Sequence, residues 1–219
     1  MKVSLAIFLL SCSFLQLMQT HAAEEQWGLR RDRDSIQVYS RAVQGSAYAQ
    51  VKTTTLLENV SLASLVALIE DAEACPTWAD KCAESYVFER INETEAYVYT
   101  HNDMPFPVKD RDVLAHVEWA QDSGSLQVTM KSVAMSGLLP EVRGRLRLTE
   151  ANASWTFLPL ASGQVEVSNT AHINPGSNIP GWVTNMLLVD TPFETMKAFI
   201  AEVVKPKYQN ASVGFIKEP

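Results

Sequence analysis

Between Ser85 and Ile173 the apolar residues alternate with polar ones in short runs, and this alternation constrains the fold most strongly. A period of two is that of a β-strand with one face buried. Turn-forming residues such as Asn92-Glu93, Asp122-Ser123-Gly124 and Ser162-Gly163 separate the runs. Because the turns are short and no helical period lies between the runs, crossover helices are excluded. The segment therefore predicts about seven consecutive antiparallel strands.

The residues on either side of this segment complete the predicted architecture. Residues 36–57 alternate loosely around a glycine and predict an opening hairpin. An apolar spacing of three and four predicts a helix over residues 61–73, ended by Pro76. After Pro180 the same spacing predicts a helix of about seven turns, kinked at Pro192. The fold class is therefore α+β, with a curved antiparallel sheet of about nine strands wrapped around a long C-terminal helix.

Such a sheet encloses more volume than its flanking side chains fill, which predicts an internal apolar cavity below the terminal helix. The composition supplies the apolar residues, since 47% of the chain is hydrophobic, and it excludes intrinsic disorder. The net charge is −7, so a uniform electropositive face for nucleic acid is not expected. The chain is expected to be a monomer.

Three motifs occur in chain order: Pro105-Phe106-Pro107-Val108-Lys109-Asp110-Arg111-Asp112, then Trp155-Thr156-Phe157-Leu158-Pro159, then Asn174-Pro175-Gly176 to Ile179-Pro180-Gly181-Trp182. Together they resemble START domains, the steroidogenic-acute-regulatory-protein-related lipid-transfer family. The resemblance spans residues 27–208. It implies a helix-grip fold of the START/Bet v 1-like type, in a single domain over residues 23–219. It also implies an interior that binds one lipid or other hydrophobic molecule, without catalysis and without a cofactor. Transfer of that molecule is a further expectation from the resemblance.

One departure from the family limits what the resemblance implies. Cholesterol-binding members look to have an inward basic residue six positions after the motif arginine, paired with an acid. Arg111 is that arginine here, and Val117 occupies the later position. Desolvating an unpaired charge is costly, so Val117 predicts a site without that ion pair. For Arg111 and Asp112 themselves, a structural role through hydrogen bonds or an ion pair is favoured over ligand contact.

The residues expected to contact the ligand share an inward position on a strand or on the terminal helix. Asn169 is the polar member, and its amide needs a partner that is either the ligand or a backbone or water group. For the helix stripe, core packing explains the pattern as well as ligand contact does. The predicted ligand-binding residues are Val113, Ala115, Val117, Met130, Leu146, Trp155, Asn169, Trp182, Met186, Leu187 and Phe193.

Arg143, Arg145 and Arg147 alternate along one predicted strand and form the densest positive feature. One interpretation is transient contact with phosphate head groups of a membrane, at about 1 kcal/mol for each charge. The favoured interpretation is a solvated face paired with acids such as Glu150 and Glu166.

Catalysis remains the alternative function. The chain has no Gly-x-Ser-x-Gly elbow, P-loop or dinucleotide fingerprint. Related helix-grip folds nevertheless include polyketide cyclases and aromatases, and a cyclase-like or hydrolase-like enzyme could use Tyr97, Tyr99 and His101 on one strand face. A third possibility is a filled core that acts through protein contacts. No metal site is predicted, because His101 and His172 have no partner at ligand spacing.

The pattern of the N-terminal residues indicates a targeting signal. Residues 1–22 combine a positive start, an apolar stretch and small residues before the expected cleavage site, which is typical of a secretory signal peptide. A membrane anchor and a lipoprotein site at Cys12 are weaker readings. Export to a periplasm is therefore predicted, with secretion as the alternative. In an oxidising compartment Cys75 and Cys82 could form a disulfide or remain two small buried residues.

Overall fold

The computed structural model describes residues 26–176 and 179–219, so the predicted signal peptide over residues 1–22 lies outside the described part. Ten strands form one sheet: β1 Gly28–Arg33, β2 Ile36–Arg41, β3 Gln50–Leu57, β4 Cys82–Arg90, β5 Glu95–Asn102, β6 Asp110–Gln121, β7 Val128–Met135, β8 Arg145–Arg147, β9 Ala151–Pro159 and β10 Val165–Ile173. The helices are α1 Leu62–Glu70, α2 Cys75–Trp78, α3 Gly181–Asn185, α4 Thr191–Val203 and α5 Pro206–Gln209, with a 3-10 turn at Ala72–Ala74 and a π-helical segment at Met186–Asp190.

The strand order in the sheet is β1-β2-β3-β10-β9-β7-β6-β5-β4, and every neighbour in this order is antiparallel. β8 lies off this path and pairs in parallel with the start of β6. The predicted fold class is confirmed: a large curved antiparallel sheet packs against a C-terminal helix. Within the described ranges no helix is both long and apolar enough to cross a membrane.

Alternation along the strands turns one face of the sheet toward the helices. On β3, Val51, Thr53 and Thr55 are buried, while Lys52 and Thr54 between them are partly exposed. The core lies on this inner face, where Phe157, Phe193, Phe199, Leu62 and Leu65 are almost completely buried. Burying one such side chain contributes about 1.5–3 kcal/mol, so the packing of the helices on the inner face is a major source of stability.

The first helix ends earlier than the sequence predicts. Ser61 caps α1, because its Oγ accepts a hydrogen bond from the Ser64 N–H at 3.0 Å. The last described residues add a second cap, since the Glu218 carboxylate accepts from the N–H groups of Leu62 and Ala63 at 3.0 and 2.8 Å. The helix ends at Glu70 rather than at residue 73.

Pro76 does not end a helix but lies in the first turn of α2. Proline suits that position because the first N–H groups of a helix have no intrahelical acceptor. A disulfide joins Cys75 at the start of α2 to Cys82 at the start of β4, with an S–S distance of 2.14 Å.

The terminal helix is irregular near Pro192, as predicted, but the change in geometry precedes the proline. Pro192 lies in the first turn of α4, and the preceding segment Met186–Asp190 is π-helical. The Thr191 N–H there bonds to the Met186 carbonyl, five residues back. Proline has no N–H for the carbonyl four residues before it, so the helix widens at this turn instead of running straight.

Candidate functional site

Described residues form two cavities that border the buried core of the inner face, and the larger of this pair has a volume of about 390 Å³. It lies between the helical roof, which we define as residues 181–203, and the inner faces of β3 and β10. Its walls are mostly apolar and include Val51, Ala171, Ile173 and Leu187. This volume is at the lower end of the roughly 300–1,000 Å³ typical of ligand pockets.

A smaller cavity of about 160 Å³ lies between the first helices and the opposite half of the sheet. Five of the predicted ligand-binding residues line it: Val113, Ala115, Val117, Met130 and Trp155. Arg111 and the first three of these are spaced by two along β6 and share its inner face, but Arg111 lines the larger cavity. The inner face of β6 therefore extends from one cavity to the other.

An aromatic cluster lies between the residues that line the two cavities. The ring centroid of Trp78 is 5.9 Å from that of Trp155 and 5.4 Å from that of Phe199, and the rings of Trp155 and Phe199 stack at 4.7 Å. Trp155 pairs across the sheet with Asn169, and Phe199 follows Thr195 by one helical turn. Asn169 and Thr195 line the larger cavity. The aromatic rings thus divide the interior into two compartments.

Of the residues predicted on β10 and the terminal helix, Asn169 and Leu187 line the larger cavity. The Asn169 Nδ2 donates to the Ser154 carbonyl at 3.2 Å, so a backbone partner satisfies this donor without a ligand.

Four predicted ligand-binding residues line neither cavity: Leu146, Trp182, Met186 and Phe193. Trp182 is 54% exposed, and Phe193 is fully buried with the guanidinium groups of Arg31 and Arg33 each 4.9 Å from its ring. Leu146 lies against Gly176 instead.

Helix geometry explains why the other predicted residues of the terminal helix lie away from the larger cavity. The roof residues that line the larger cavity are Thr184, Leu187, Leu188, Thr191, Pro192 and Thr195, spaced by three and four or adjacent. At about 100° per residue, Trp182, Met186 and Phe193 fall on another side of the helix. Because threonines occupy much of the stripe that lines the cavity, a selection by hydrophobicity alone favours a different side of the helix. Ala171 and Ile173 also line the larger cavity but are absent from the predicted ligand-binding residues. The alternation along β10, which places them on the same face as Asn169, is a sequence signal that identifies them.

On the outer face of β6, Asp112 is fully buried in an ion pair. Arg147 donates from Nε to Asp112 Oδ1 at 2.9 Å and from its terminal nitrogen to Oδ2 at 3.0 Å, and the Tyr99 hydroxyl also donates to Oδ2 at 3.0 Å. Burial raises the pKa of the Asp112 carboxyl, but the hydrogen bonds from Arg147 and Tyr99 outweigh it and hold that pKa below its usual range. Asp112 therefore has the structural role that the sequence favours for it.

The arginines around β8 correct the prediction of a solvated basic face. The Arg147 side chain is only 6% exposed and pairs with Asp112 rather than with Glu150 or Glu166. Arg145 donates to the Tyr99 hydroxyl at 2.7 Å and lies 3.6 Å from a carboxylate oxygen of Glu84. β8 lies in parallel beside β6, so two of the three arginines reach the buried network and only Arg143 is exposed.

The residues of the enzyme alternative lie away from both cavities. Tyr97, Tyr99 and His101 alternate on β5 with Val98 and Thr100, and it is the latter two that line the smaller cavity. Tyr99 belongs to the Asp112 network, and the Tyr97 ring lies 5.5 Å from that of His116. The three side chains thus do not converge on a substrate-sized space.

His101 has carboxylate neighbours, so the statement that it has no partner at ligand spacing is wrong. Its Nε2 lies 3.1 Å from an Asp110 oxygen and 3.6 Å from an Asp103 oxygen. The Asp110 carboxylate also accepts the Met104 N–H at 3.0 Å, and this bond and that from His101 lower the pKa of Asp110 despite partial burial. The cluster closes the loop between β5 and β6.

Polar contacts hold the helical roof to the rest of the chain near its π-helical segment. A guanidinium nitrogen of Arg31 on β1 lies 2.6 Å from an Asp190 carboxylate oxygen. Thr191 donates its hydroxyl to Asp80 Oδ2 at 2.8 Å, and the Asp80 N–H donates to the Thr195 hydroxyl at 3.0 Å. The roof is thereby tied both to an edge strand and to the segment after α2.

Comparisons with known proteins place this geometry in a family. The START domain model matches residues 10–207. An uncharacterized protein of Pseudomonas aeruginosa is 32% identical over 177 residues, covering 81% of this chain and 86% of that protein. The phosphatidylcholine transfer protein of Mus musculus is 24% identical over 178 residues, covering 80% of this chain and 81% of that protein.

A solved structure agrees with the sequence matches. The crystal structure of a STAR-related lipid transfer protein fragment from Xanthomonas axonopodis superposes with a TM-score of 0.74 at 31% identity, covering 82% of this chain and 99% of that one. The family model, the relatives and the inner-face cavity below a C-terminal helix lead to one conclusion. The chain belongs to the START domain family.

Proposed function

We propose that this protein binds one lipid or other hydrophobic molecule in the larger cavity, transfers it between membranes, and does so without catalysis. The observation that carries the proposal is the largely apolar cavity of about 390 Å³ below the helical roof. A hydrocarbon chain gains about 0.8 kcal/mol for each methylene that leaves water, so a largely apolar cavity of this size favours it. Membership of a family that includes lipid-transfer proteins supports the same function.

Contact with a membrane is part of the proposal. Phe106 is 93% exposed in the loop between β5 and β6, two residues after Met104, which lines the larger cavity. Trp182 in the roof is 54% exposed, and Ile173, which also lines the cavity, is 39% exposed. Exposed apolar side chains near a cavity are suited to transient insertion between lipids.

The binding experiment uses protein purified from its own compartment. Native mass spectrometry and solvent extraction should detect a copurified lipid, and stripped protein should take up a fluorescent lipid and exchange it between vesicles. Ala171→Phe, which fills the larger cavity, should reduce uptake by tenfold or more. Ala120→Phe adds the same ring at an exposed position of β6 and should leave uptake unchanged. Empty protein that takes up nothing from a lipid panel would refute the proposal.

We further propose that the protein is exported to the periplasm and acts there as a monomer. The Cys75–Cys82 disulfide supports an oxidising compartment. Cell fractionation of the full chain should find it in the periplasmic fraction with a shortened N-terminus. Recovery in the cytoplasm at full length would contradict export, and sedimentation as a dimer would contradict the monomer.

A further inference from the structure

Arg111 is the second residue of β6, and its side chain points to the inner face of the sheet. The residue is only 3% exposed, yet it lines the larger cavity together with apolar residues such as Ile173 and Leu187. Its guanidinium is therefore placed at the wall of a mostly apolar cavity, where the other two charged lining residues, Asp80 and Lys81, pair with each other.

The guanidinium of Arg111 is only partly satisfied by the protein. Its Nε donates to the Pro175 carbonyl at 3.2 Å, and a terminal nitrogen donates to the Lys109 carbonyl. A guanidinium has five N–H donors, and in residues 26–176 and 179–219 no carboxylate lies within ion-pairing distance of it. Arg147 differs, because the same group there is matched by the Asp112 carboxylate.

The nearby acids are engaged elsewhere. Asp110 precedes Arg111 but accepts hydrogen bonds from His101 and from the Met104 N–H. Asp80, which also lines the larger cavity, pairs with Lys81 at 3.1 Å and accepts from Thr191. Burial lowers the pKa of Arg111, and the charge of Asp110 opposes this only in part. Arginine nevertheless stays protonated, so the cavity wall keeps its positive charge.

We propose that Arg111 binds the anionic oxygens of the ligand, so that the ligand is an amphiphile with a carboxylate or phosphate group on an acyl chain. The inference rests on the proposed function and narrows it to one chemical class. Carboxylate and phosphate share the geometry that a guanidinium fork binds through paired, charge-assisted hydrogen bonds. The apolar wall of the cavity holds the chain while Arg111 holds the head group.

The first test compares ligands on the unaltered protein. Stripped full-length protein is titrated with oleate, with an oleoyl lysophosphatidate, with methyl oleate and with inorganic phosphate. We expect oleate or the lysophosphatidate to bind at least about tenfold more tightly than methyl oleate, the gain typical of a charge-assisted hydrogen bond. The tighter of the two anions identifies the head group.

Other results separate this inference from the proposed function. Methyl oleate that binds as tightly as both anionic lipids overturns the role of Arg111 but leaves lipid binding intact. If inorganic phosphate binds as tightly as the anionic lipids, the acyl chain adds nothing and the proposal that the ligand is an amphiphile is overturned. Protein that binds none of the probes overturns both proposals.

The second test changes Arg111 itself. In Arg111→Met the preference for oleate over methyl oleate should fall to within about twofold, and Arg111→Lys should retain part of it because the charge remains. Arg143→Met removes an exposed arginine and should leave the preference unchanged. If Arg111 has a purely structural role, its replacement weakens the binding of oleate and methyl oleate by the same factor. An unaltered ratio of the two affinities in Arg111→Met therefore overturns the proposal. The ligand comparison on the unaltered protein decides the matter even if that variant does not fold.

Discussion

The charged side chains on the two faces of β6 have different partners. Asp112 points to the outer face, where Arg147 and Tyr99 complete its hydrogen bonds. Arg111, its neighbour in the chain, points to the inner face and lacks a carboxylate partner in the described part of the chain. Adjacent residues of a strand always face opposite ways, so one dipeptide serves both sides of the sheet. The outer charge is therefore satisfied within the protein, whereas the inner guanidinium has N–H donors left for another molecule.

The largest effect on stability is expected from breaking the outer pair. Asp112→Ala leaves the Arg147 side chain, which is only 6% exposed, without its carboxylate. Removing one partner of a buried ion pair typically costs about 3–5 kcal/mol, so the free energy of unfolding in urea should fall by that amount. Glu118→Ala removes an exposed acid from the same face of β6 and should change it by less than about 0.5 kcal/mol.

A second variant distinguishes a lost ion pair from a damaged strand. Asp112→Leu combined with Arg147→Met removes both charges and should recover much of the loss, since paired buried charges are often replaceable by apolar residues. If Asp112→Ala and Glu118→Ala have the same small effect, the contrast between the two faces of β6 is wrong.

The next largest effect should come from the disulfide that braces the inner side. Cys75 and Cys82 are separated by seven positions, and opening a loop of this length costs about 2–3 kcal/mol in the chain-entropy account. The variant Cys75→Ala/Cys82→Ala should lose that much stability in a denaturant titration. Reductant should bring the unaltered protein to the same midpoint and leave the variant unchanged. A reductant-insensitive midpoint in the unaltered protein would contradict this prediction.

The outer pair also predicts a dependence on pH. The folded-state pKa of Asp112 is lowered, whereas an unfolded aspartate titrates near pH 3.9. The stabilisation by Asp112 is therefore fully present above about pH 4 and is lost as pH falls through the lower folded pKa, at up to about 1.4 kcal/mol for each pH unit. Urea titrations between about pH 5 and 2 should show a shallower fall for Asp112→Leu/Arg147→Met, while Arg111→Met keeps the slope of the unaltered protein. Equal slopes in all three proteins would contradict the assignment.

The smallest effect separates cavity wall from packed core. Val113 lines the smaller cavity and is half-buried, whereas Val128 is fully buried. Val113→Ile should change the free energy of unfolding by less than about 0.5 kcal/mol, because the added methyl enters free space. Val128→Ile should cost about 1–3 kcal/mol through overpacking. Thermal melts of the two variants provide the comparison, and an equal cost would mean that the smaller cavity is not open.

The strands and their inward faces could be predicted from the sequence because their period is local. Val113, Ala115 and Val117 needed only alternation along β6 to be placed on one inner face. The motifs added the family and the roof above the sheet. The two-cavity arrangement required the packing of Trp155 and Phe199, which lie far apart in the chain.

The features that the sequence did not predict depend on contacts between distant parts of the chain. Nothing local in the sequence shows that β8 lies parallel to β6, so the burial of Arg147 against Asp112 could not be predicted from the sequence. The side of the roof that lines the larger cavity includes Thr184, Thr191 and Thr195. A selection based on apolar residues does not identify this side. The structure alone shows that Arg111 is buried and that, among the residues it describes, no carboxylate lies within ion-pairing distance of its guanidinium.

The polar contacts that hold the helical roof are expected to affect the rate at which a bound molecule is released rather than the affinity for it. If release of a bound molecule requires the roof to separate from β1, the Arg31–Asp190 ion pair must break first. Both side chains are partly exposed, so added salt screens their attraction. The residence time of a bound molecule should therefore shorten at high ionic strength, even where its apolar part is held as tightly as before.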